Sequence, residues 1–295
     1  MIVMPLSENS LAQLPIRHLT SNDLLACADL SEDRGWHREE YKWGLLLAAG
    51  TGYGIDAPDG QGLATACVVT SYGPGLAAIG MVLVAERYAR RGIGRRLMGH
   101  VLTEAGDTPL TLYATSNGRP LYEELGFTEI AEAEMLRGTF TFAEPAAEPR
   151  PGTSVRPATA EDLPAILRLD DEIFGADRTH VLTRLPAFAD HLRVAEREGR
   201  LTGFGALWPN MDTHVLGPLI AHDPETAQAL VASLAAATDR PLRTDIDSGR
   251  HSALITWLKA NGVDRIARTS LMVRSLPGLP GDDRRRFAPL TVAAG

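Results

Sequence analysis

The sequence predicts a mixed α/β protein made of two similar units in tandem, and three observations predict it. The first is residues 81–98, where an apolar, β-like run from Met81 to Ala85 leads through a basic Gly-x-Gly turn into an amphipathic helix beginning near Gly94. The second is an internal repeat. Ile16-Arg17-His18-Leu19-Thr20-Ser21-Asn22-Asp23-Leu24 matches Val155-Arg156-Pro157-Ala158-Thr159-Ala160-Glu161-Asp162-Leu163, with Arg, Thr, Asp and Leu identical, and Gly126-Phe127 matches Gly262-Val263 at nearly the same spacing. The third is length: 295 residues exceed one ordinary compact domain and fit two of about 150 each.

Each copy opens as a strand followed by a helix start. Residues 24–47 read as largely helical and carry Glu32, Asp33, Trp36, Glu39, Glu40, Tyr41 and Trp43. Acidic residues in such a segment ordinarily form a solvated face, and aromatic residues on an amphipathic helix ordinarily pack into the core, although both sets are placed to line a pocket.

The glycine turn that follows the next strands has the makings of an anion site. Gly92 and Gly94 let the backbone approach a bound group closely, and the first turn of the following helix offers unpaired N–H groups and the positive end of its dipole. Arg90, Arg91, Arg95 and Arg96 surround the same turn, and a guanidinium matches phosphate oxygens well. There is no Gly-x-x-x-x-Gly-Lys-Ser/Thr, which excludes a nucleotide-triphosphate loop. A dinucleotide fold would need a third glycine where Leu97 stands and an acidic residue closing the next strand, and Leu112-Tyr113-Ala114-Thr115 supplies none. Residues 115–127 instead form a short helix with a Ser or Asn start, Pro120 in its first turn and Gly126 as its stop.

With these two motifs in this order, residues 12–143 resemble a GNAT acyltransferase. In that family Gln/Arg-x-x-Gly-x-Gly/Ala holds the pyrophosphate of acetyl-CoA, and the resemblance places it on Ala89, Arg90, Arg91, Gly92, Ile93 and Gly94, with Arg95 beside it. Ala89 stands where the family has Gln or Arg. The family's Leu-Tyr-Glu-x-Leu-Gly-Phe is matched without a gap from Leu121 to Phe127. Relatives carry an Asn seven residues before the Tyr, where this chain has Thr115, and Asn117 lies two residues further on. The resemblance also implies a splayed strand, here Val82, Leu83 and Val84, that supplies backbone groups to pantetheine and to the thioester carbonyl.

Attack of an amine on a thioester requires a neutral amine, donors for the developing oxyanion and a proton for the departing thiolate. Tyr122 is the matching general acid. A phenol has an ordinary pKa of about 10 and a thiol one of about 8.5, so the tyrosine stays protonated at neutral pH and can give its proton to the thiolate. The plain alternative is a helix residue packing on the sheet. No general base is singled out: Glu86 ends the splayed strand and reads as a turn residue.

Composition bounds the rest. No stretch reaches the ~18 consecutive apolar residues of a membrane span, the N-terminus lacks a signal-peptide pattern, and Cys27 and Cys67 lack metal spacing, which together predict a cytoplasmic protein with buried thiols. A net charge of −8 argues against nucleic-acid or anionic-membrane partners. His180, His191, His214 and His251 are scattered, so no metal is expected.

The second copy lacks the chemistry of the first. Its strand Thr213–Ala221 runs into His222-Asp223-Pro224, which has no Gly-x-Gly and sets an acidic helix cap where the anion site would be. Aligning Gly262 with Gly126 puts Leu258 opposite Tyr122. Phe174-Gly175-Ala176-Asp177-Arg178 resembles a segment of tandem GNAT proteins that faces the acceptor site, and reads equally as a helix stop, an Asp cap and a local ion pair.

The sequence therefore predicts two tandem GNAT-like modules of mixed α/β (α+β) fold, each a twisted, mainly antiparallel sheet flanked by helices. Residues 1–143 form the acetyl-CoA-binding module, 144–152 a linker, 153–277 a divergent module and 278–295 a loosely docked or disordered tail. The expected activity is acyl transfer, most simply acetyl, from acetyl-CoA to a primary amine of a small molecule or peptide by direct attack, in a monomer or homodimer. The alternatives are a non-catalytic acyl-CoA-binding or sensing protein and a scaffold that binds no CoA; the four arginines weigh against the scaffold.

Overall fold

The residues shared by the two copies make the same contacts in each. Arg17 donates to Asp23 at 2.7 Å while Asp23 takes the Thr20 N–H at 2.8 Å, and Arg156 donates to Asp162 at 2.7 and 2.8 Å while Asp162 takes the Thr159 N–H at 2.8 Å. Both are reciprocal helix caps tied to a strand by an arginine. The matched glycines are matched helix stops. Gly126 (φ 85°) and Gly262 (φ 86°) are left-handed, the Phe127 N–H reaches the Tyr122 carbonyl and the Val263 N–H the Leu258 carbonyl, each at 2.9 Å.

The computed structural model describes residues 13–295. The first copy runs β1 (Arg17–Leu19), α1 (Leu24–Asp33), α2 (Glu40–Ala49), β2 (Thr51–Asp56), β3 (Leu63–Ser71), β4 (Ala77–Val84), α3 (Ile93–Ala105), β5 (Leu110–Ala114), α4 (Arg119–Glu124) and β6 (Thr128–Gly138). The second repeats that order with two short helices in place of α2: β7 (Thr153–Pro157), α5 (Leu163–Phe174), α6 (Thr179–Leu182), α7 (Leu185–Phe188), β8 (His191–Arg197), β9 (Arg200–Asn210), β10 (Thr213–Ala221), α8 (Pro224–Ala235), β11 (Leu242–Asp247), α9 (Ser252–Ala260) and β12 (Asp264–Arg274), followed by β13 (Arg286–Ala288).

The two sheets are joined by an exchange of last strands. Strand order is β1-β2-β3-β4-β5-β12-β6-β11-β10-β9-β8-β7, so β12 of the second copy lies beside β5 of the first and β6 of the first beside β11 of the second. The central β6–β12 pair is antiparallel and runs from Arg137 opposite Asp264 to Thr128 opposite Val273. Only β4–β5 and β10–β11 are parallel.

The side chains of β4 divide between two layers, with the alternation stepped by one residue at Met81 (φ 53°). Ile79 and Val82 pack with Leu97, Met98 and Val101 of α3, while Met81 and Leu83 pack with Cys27, Leu30, Trp43 and Leu46 of α1 and α2. In the second half α8 and α9 cover one face, and α5, α6 and α7 cover the other together with Leu45, Tyr72 and Leu76 of the first half.

The last segment is not loosely docked. Phe287, Ala288, Leu290, Ala293 and Ala294 are buried, and β13 pairs with β10 at Ala288–Leu219 and Arg286–Ile220. Beyond it the chain crosses to the first half, where Ala293 lies against Gly80 so closely that a Cβ there would sit 2.5 Å from the Ala293 Cα. Pro and Gly content and the charge run Asp282–Arg286 suggested a solvated tail, but the apolar residues Phe287, Leu290, Ala293 and Ala294 fill the space between the halves. Residues 144–152 do connect the copies as irregular chain and are docked on the second, where the Trp257 Nε1–H donates to the Pro145 carbonyl at 2.9 Å.

Candidate active site

The parallel pair β4–β5 is joined at Ala77–Leu110, Ala78–Thr111 and Ile79–Leu112 and then forks. The β3–β4 register slips between Ala66 and Val68, Met81 adopts φ 53°, and this bulge turns β4 away from β5. Along Val82, Leu83 and Val84 the edge of β4 facing β5 therefore has no strand on it. An extended chain carrying amides can add to such an edge as a strand would.

The strand leads directly into the glycine turn. The Ala89 N–H is taken by the Glu86 carbonyl at 3.0 Å, so the donors available to an anion begin after it. Arg90 (φ 60°) and Gly92 (φ 75°) are left-handed, and the first helical bond is from the Arg96 N–H to the Gly92 carbonyl at 3.0 Å. The N–H groups of Ile93, Gly94 and Arg95 thus have no intrahelical acceptor. Gly94 is required by packing as well: a Cβ there would lie 3.0 Å from Val84 Cγ2. Among the described residues Arg90 and Arg91 are exposed and pair with no carboxylate, whereas Arg95 pairs with Glu124 of α4 and Arg96 reaches the Leu14 carbonyl.

Tyr122 lies on the α3 side of the fork. It is 7% exposed, packs with Cys67, Leu112, Ala114 and Phe127, and a Cβ on Gly118 would be 3.1 Å from its ring and 3.6 Å from its hydroxyl. Burial, reinforced by the Cys67 thiol, holds its phenol well above the ordinary value. No hydrogen bond to its hydroxyl is found among the described residues. Thr115 Oγ1 accepts the Gly118 N–H at 3.3 Å in the turn before α4, and Asn117 is exposed in the same turn. Cys27 and Cys67 are both buried, which pushes each thiol up to about 12.

The acidic residues of the first helices are engaged elsewhere. Arg38 gathers Asp29, Glu32 and Glu40, Asp33 accepts the Glu86 N–H at 2.6 Å, and Glu86 pairs with Arg34. Glu39, in contrast to the solvated face read from the sequence, is buried with Lys42 and accepts from Arg243 at 2.8 Å and Asn210 at 3.0 Å. Trp43 is core, whereas Trp36 and Tyr41 are exposed and Tyr41 stacks on Phe188 at 4.9 Å.

On the face opposite α3 and α4, a cavity of about 300 Å³ lies beside β5. Its lining includes Tyr113, the first β5 residue past the last paired one, together with residues 130–133 of β6, Leu271 of β12, Phe174, Arg178, and Arg286 to Pro289 of the last segment. No motif in the sequence marked most of these residues, because the exchanged strands bring them together. Phe174 and Arg178 were marked, and the reading of their segment as a helix stop, an Asp cap and a local ion pair holds. Gly175 (φ 74°) stops α5 and Asp177 caps α6 through the Thr179 N–H at 2.8 Å, while Arg178 pairs with buried Asp170 at 3.0 Å and borders the cavity.

The fork of the second half is differently furnished. Beyond Val215–Arg243 strands β10 and β11 part, and β13 lies on the exposed edge of β10; a Cβ on Gly217 would meet the Pro289 carbonyl oxygen at 2.1 Å. Asp223 caps α8 through the Thr226 N–H at 2.8 Å, and the residue opposite Tyr122 is Leu258.

A bulged strand, a forked parallel pair, a glycine turn and a helix start, in a unit present twice, define a tandem acyltransferase-type fold. Models of the acetyltransferase (GNAT) domain match residues 66–144 and 166–288, and the chain belongs to the GNAT acetyltransferase family as a tandem of two such domains. It is 32% identical over 183 residues to the uncharacterized N-acetyltransferase YitH of Bacillus subtilis, covering 61% of this chain and 63% of that relative. Similar solved structures include one from Pyrococcus horikoshii described as an acetyltransferase (TM-score 0.76, 19% identity, 96% of both chains). Another is a tandem GNAT protein from the clavulanic acid biosynthesis pathway (TM-score 0.64, 16% identity, 90% of this chain and 100% of that one). At these identities the structural likeness is one of fold.

Among the described residues no group of three or more His, Cys, Asp or Glu is placed to hold a metal, and no helix is long and apolar enough to cross a membrane.

Proposed function

We propose that the first module transfers an acyl group, acetyl in the simplest case, from acyl-CoA to a primary amine of a small molecule or peptide. The observation that carries this reading is the unpaired edge of β4, continuous with a helix start whose donors are free and flanked by Arg90 and Arg91. The residues present fit the donor: Val82 to Val84 would hold the pantetheine amides, and Gly92, Ile93, Gly94 and the arginines the pyrophosphate. The bound donor supplies a thioester at the fork.

The chain's own groups do the rest. The ammonium loses a proton to solvent and the neutral amine attacks from the cavity side; a C–N bond forms as the C–S bond breaks, Tyr122 on the other face gives its proton to the departing thiolate, and the surplus proton on the new amide nitrogen leaves to solvent, from which the Tyr122 phenolate is reprotonated. The raised phenol pKa keeps that proton in place at neutral pH. Both thiols are buried and protonated, which supports direct attack without a covalent enzyme intermediate. The occupied second fork supports one donor site per chain. The same reading makes the protein cytoplasmic, a monomer or homodimer, with no metal, nucleic-acid or membrane partner.

Calorimetric titration of acetyl-CoA into the full chain, with stoichiometry left free, tests this. One site per chain is expected, and Tyr122→Phe should retain that affinity while lowering turnover of an accepted amine about 10²- to 10⁴-fold. Two sites per chain would overturn the assignment of the second fork, and the absence of binding would overturn the donor site altogether.

A further inference from the structure

The cavity beside β5 is lined by one cation that, among the described residues, makes no ion pair. Its other charged linings are paired: Arg178 with Asp170, Arg250 with Asp247 at 2.6 Å and Asp283 at 2.7 Å, and Glu132 with Arg268 at 3.2 Å. Arg286 lines the same cavity and pairs with no carboxylate among the described residues, and its Nη2 is shielded from water without a hydrogen-bond partner. Its guanidinium is held by the Phe174 ring, whose centroid lies 5.3 Å from the guanidinium carbon. Buried donors are ordinarily satisfied, and an orphaned guanidinium N–H facing a cavity is satisfied best by an anion.

Resting on the acyl-transfer reading, we infer that this cavity receives the acceptor and that Arg286 binds a carboxylate on it, so the acceptor is an amine bearing an acid group, of the amino-acid class. The size agrees. About 300 Å³ is at the small end of the roughly 300–1,000 Å³ of small-molecule sites. The remaining walls, Leu271, Phe174, Ile220 and Phe287, are apolar and suit an aliphatic or aromatic side chain. Tyr113, the first β5 residue past its pairing with β4, lines the cavity, and the amine would arrive from that side. Arg286 is thus a specificity residue separate from the groups assigned to the donor.

The test compares matched amines that differ by the carboxylate: L-leucine with isoamylamine, L-phenylalanine with 2-phenylethylamine, and 4-aminobutyrate with n-butylamine. Each is assayed with acetyl-CoA by thiol release, and each is titrated calorimetrically into the full chain in the presence of CoA. The acid member of at least one pair is expected to bind and to be acetylated at least tenfold better. Arg286→Met should bring that ratio to within threefold of one while leaving the acetyl-CoA Kd unchanged. The wild-type comparison stands without any variant, and Arg286→Lys, which keeps the charge, should retain part of the preference. If acetyl-CoA binds but the bare amines equal or exceed their acids, or no acid binds, or Arg286→Met keeps the ratio, the inference fails and the donor site stands. Preference for O-phosphoethanolamine over every carboxylate would overturn the carboxylate assignment. Absence of acetyl-CoA binding would remove the donor site and this inference together.

Discussion

Gly92→Asp separates the anion site from the stability of the helix that forms it. Residue 92 is the cap of α3 at φ 75° and ψ −1°, and nothing lies within 4 Å of the position a Cβ would take. An aspartate there meets left-handed strain of about 1 kcal/mol, of which a helix N-cap in this geometry returns at most a few tenths. Folding stability should therefore fall by about 1 kcal/mol, a melting shift of about 2–4 °C. Binding should not be spared. A carboxylate about 5 Å from a phosphate charge, at an effective dielectric of about 20, costs about 3 kcal/mol. That weakens acetyl-CoA between 10²- and 10³-fold, and the new side chain also occupies the N–H groups that the phosphate needs. Calorimetry against wild type, with a melting curve of each protein, reads both quantities. An acetyl-CoA Kd within threefold of wild type would show that phosphate does not sit at this turn, and a collapse of melting temperature would show that the strain estimate is wrong.

Two further predictions concern the joint between the halves. Burial alone would raise the Glu39 carboxyl, but Lys42 and Arg243 outweigh it and hold it at about 2. A lowered folded pKa means stability that is complete above the ordinary pKa of about 4.5 and is lost as pH falls from there toward about 2, a few kcal/mol in all. Glu39→Gln should flatten the melting temperature across that window and lower stability at pH 7 by about 3–5 kcal/mol, because two buried cations lose their partner; an unchanged acid limb would place the titration elsewhere. Phe287→Ala removes a fully buried ring from the strand that fills the second fork and should cost about 3–5 kcal/mol, on the order of 10 °C, in thermal or urea unfolding. A loss below about 1 kcal/mol would show that the last segment is not part of the core.

What could be read in the sequence was what is local in the fold. The strand and helix start of each copy, the glycine stops, the glycine turn before α3 and the Tyr122 helix are each set by residues within about ten positions of one another, and the structure forms them there, although the Tyr122 helix starts from Gly118 rather than from a Ser or Asn. The cavity was not legible, because Tyr113, Ala133, Arg178 and Leu271 meet only through the exchange of β6 and β12, and strand exchange leaves no periodic signal. Glu39 was misread for the same reason: its partners Arg243 and Asn210 come from the other half. The last segment was misread because short apolar residues between prolines and glycines carry neither a helical nor a strand period, although Trp208 Nε1–H on the Leu290 carbonyl at 3.1 Å and β13 on β10 fix it firmly.

The exchange also explains why a half without donor chemistry is kept. Without β12, strand β5 would carry an open edge immediately beside the fork, and the wall that holds Tyr113 and Leu112 in place would be lost. The second half further supplies Phe174, Arg178, Arg286 to Pro289 and Gly295 to the cavity. Its own fork is filled by β13 of that segment, so one stretch of chain both closes the second fork and lines the cavity beside β5. The second copy is therefore fixed by packing even where it lacks a glycine turn and a tyrosine.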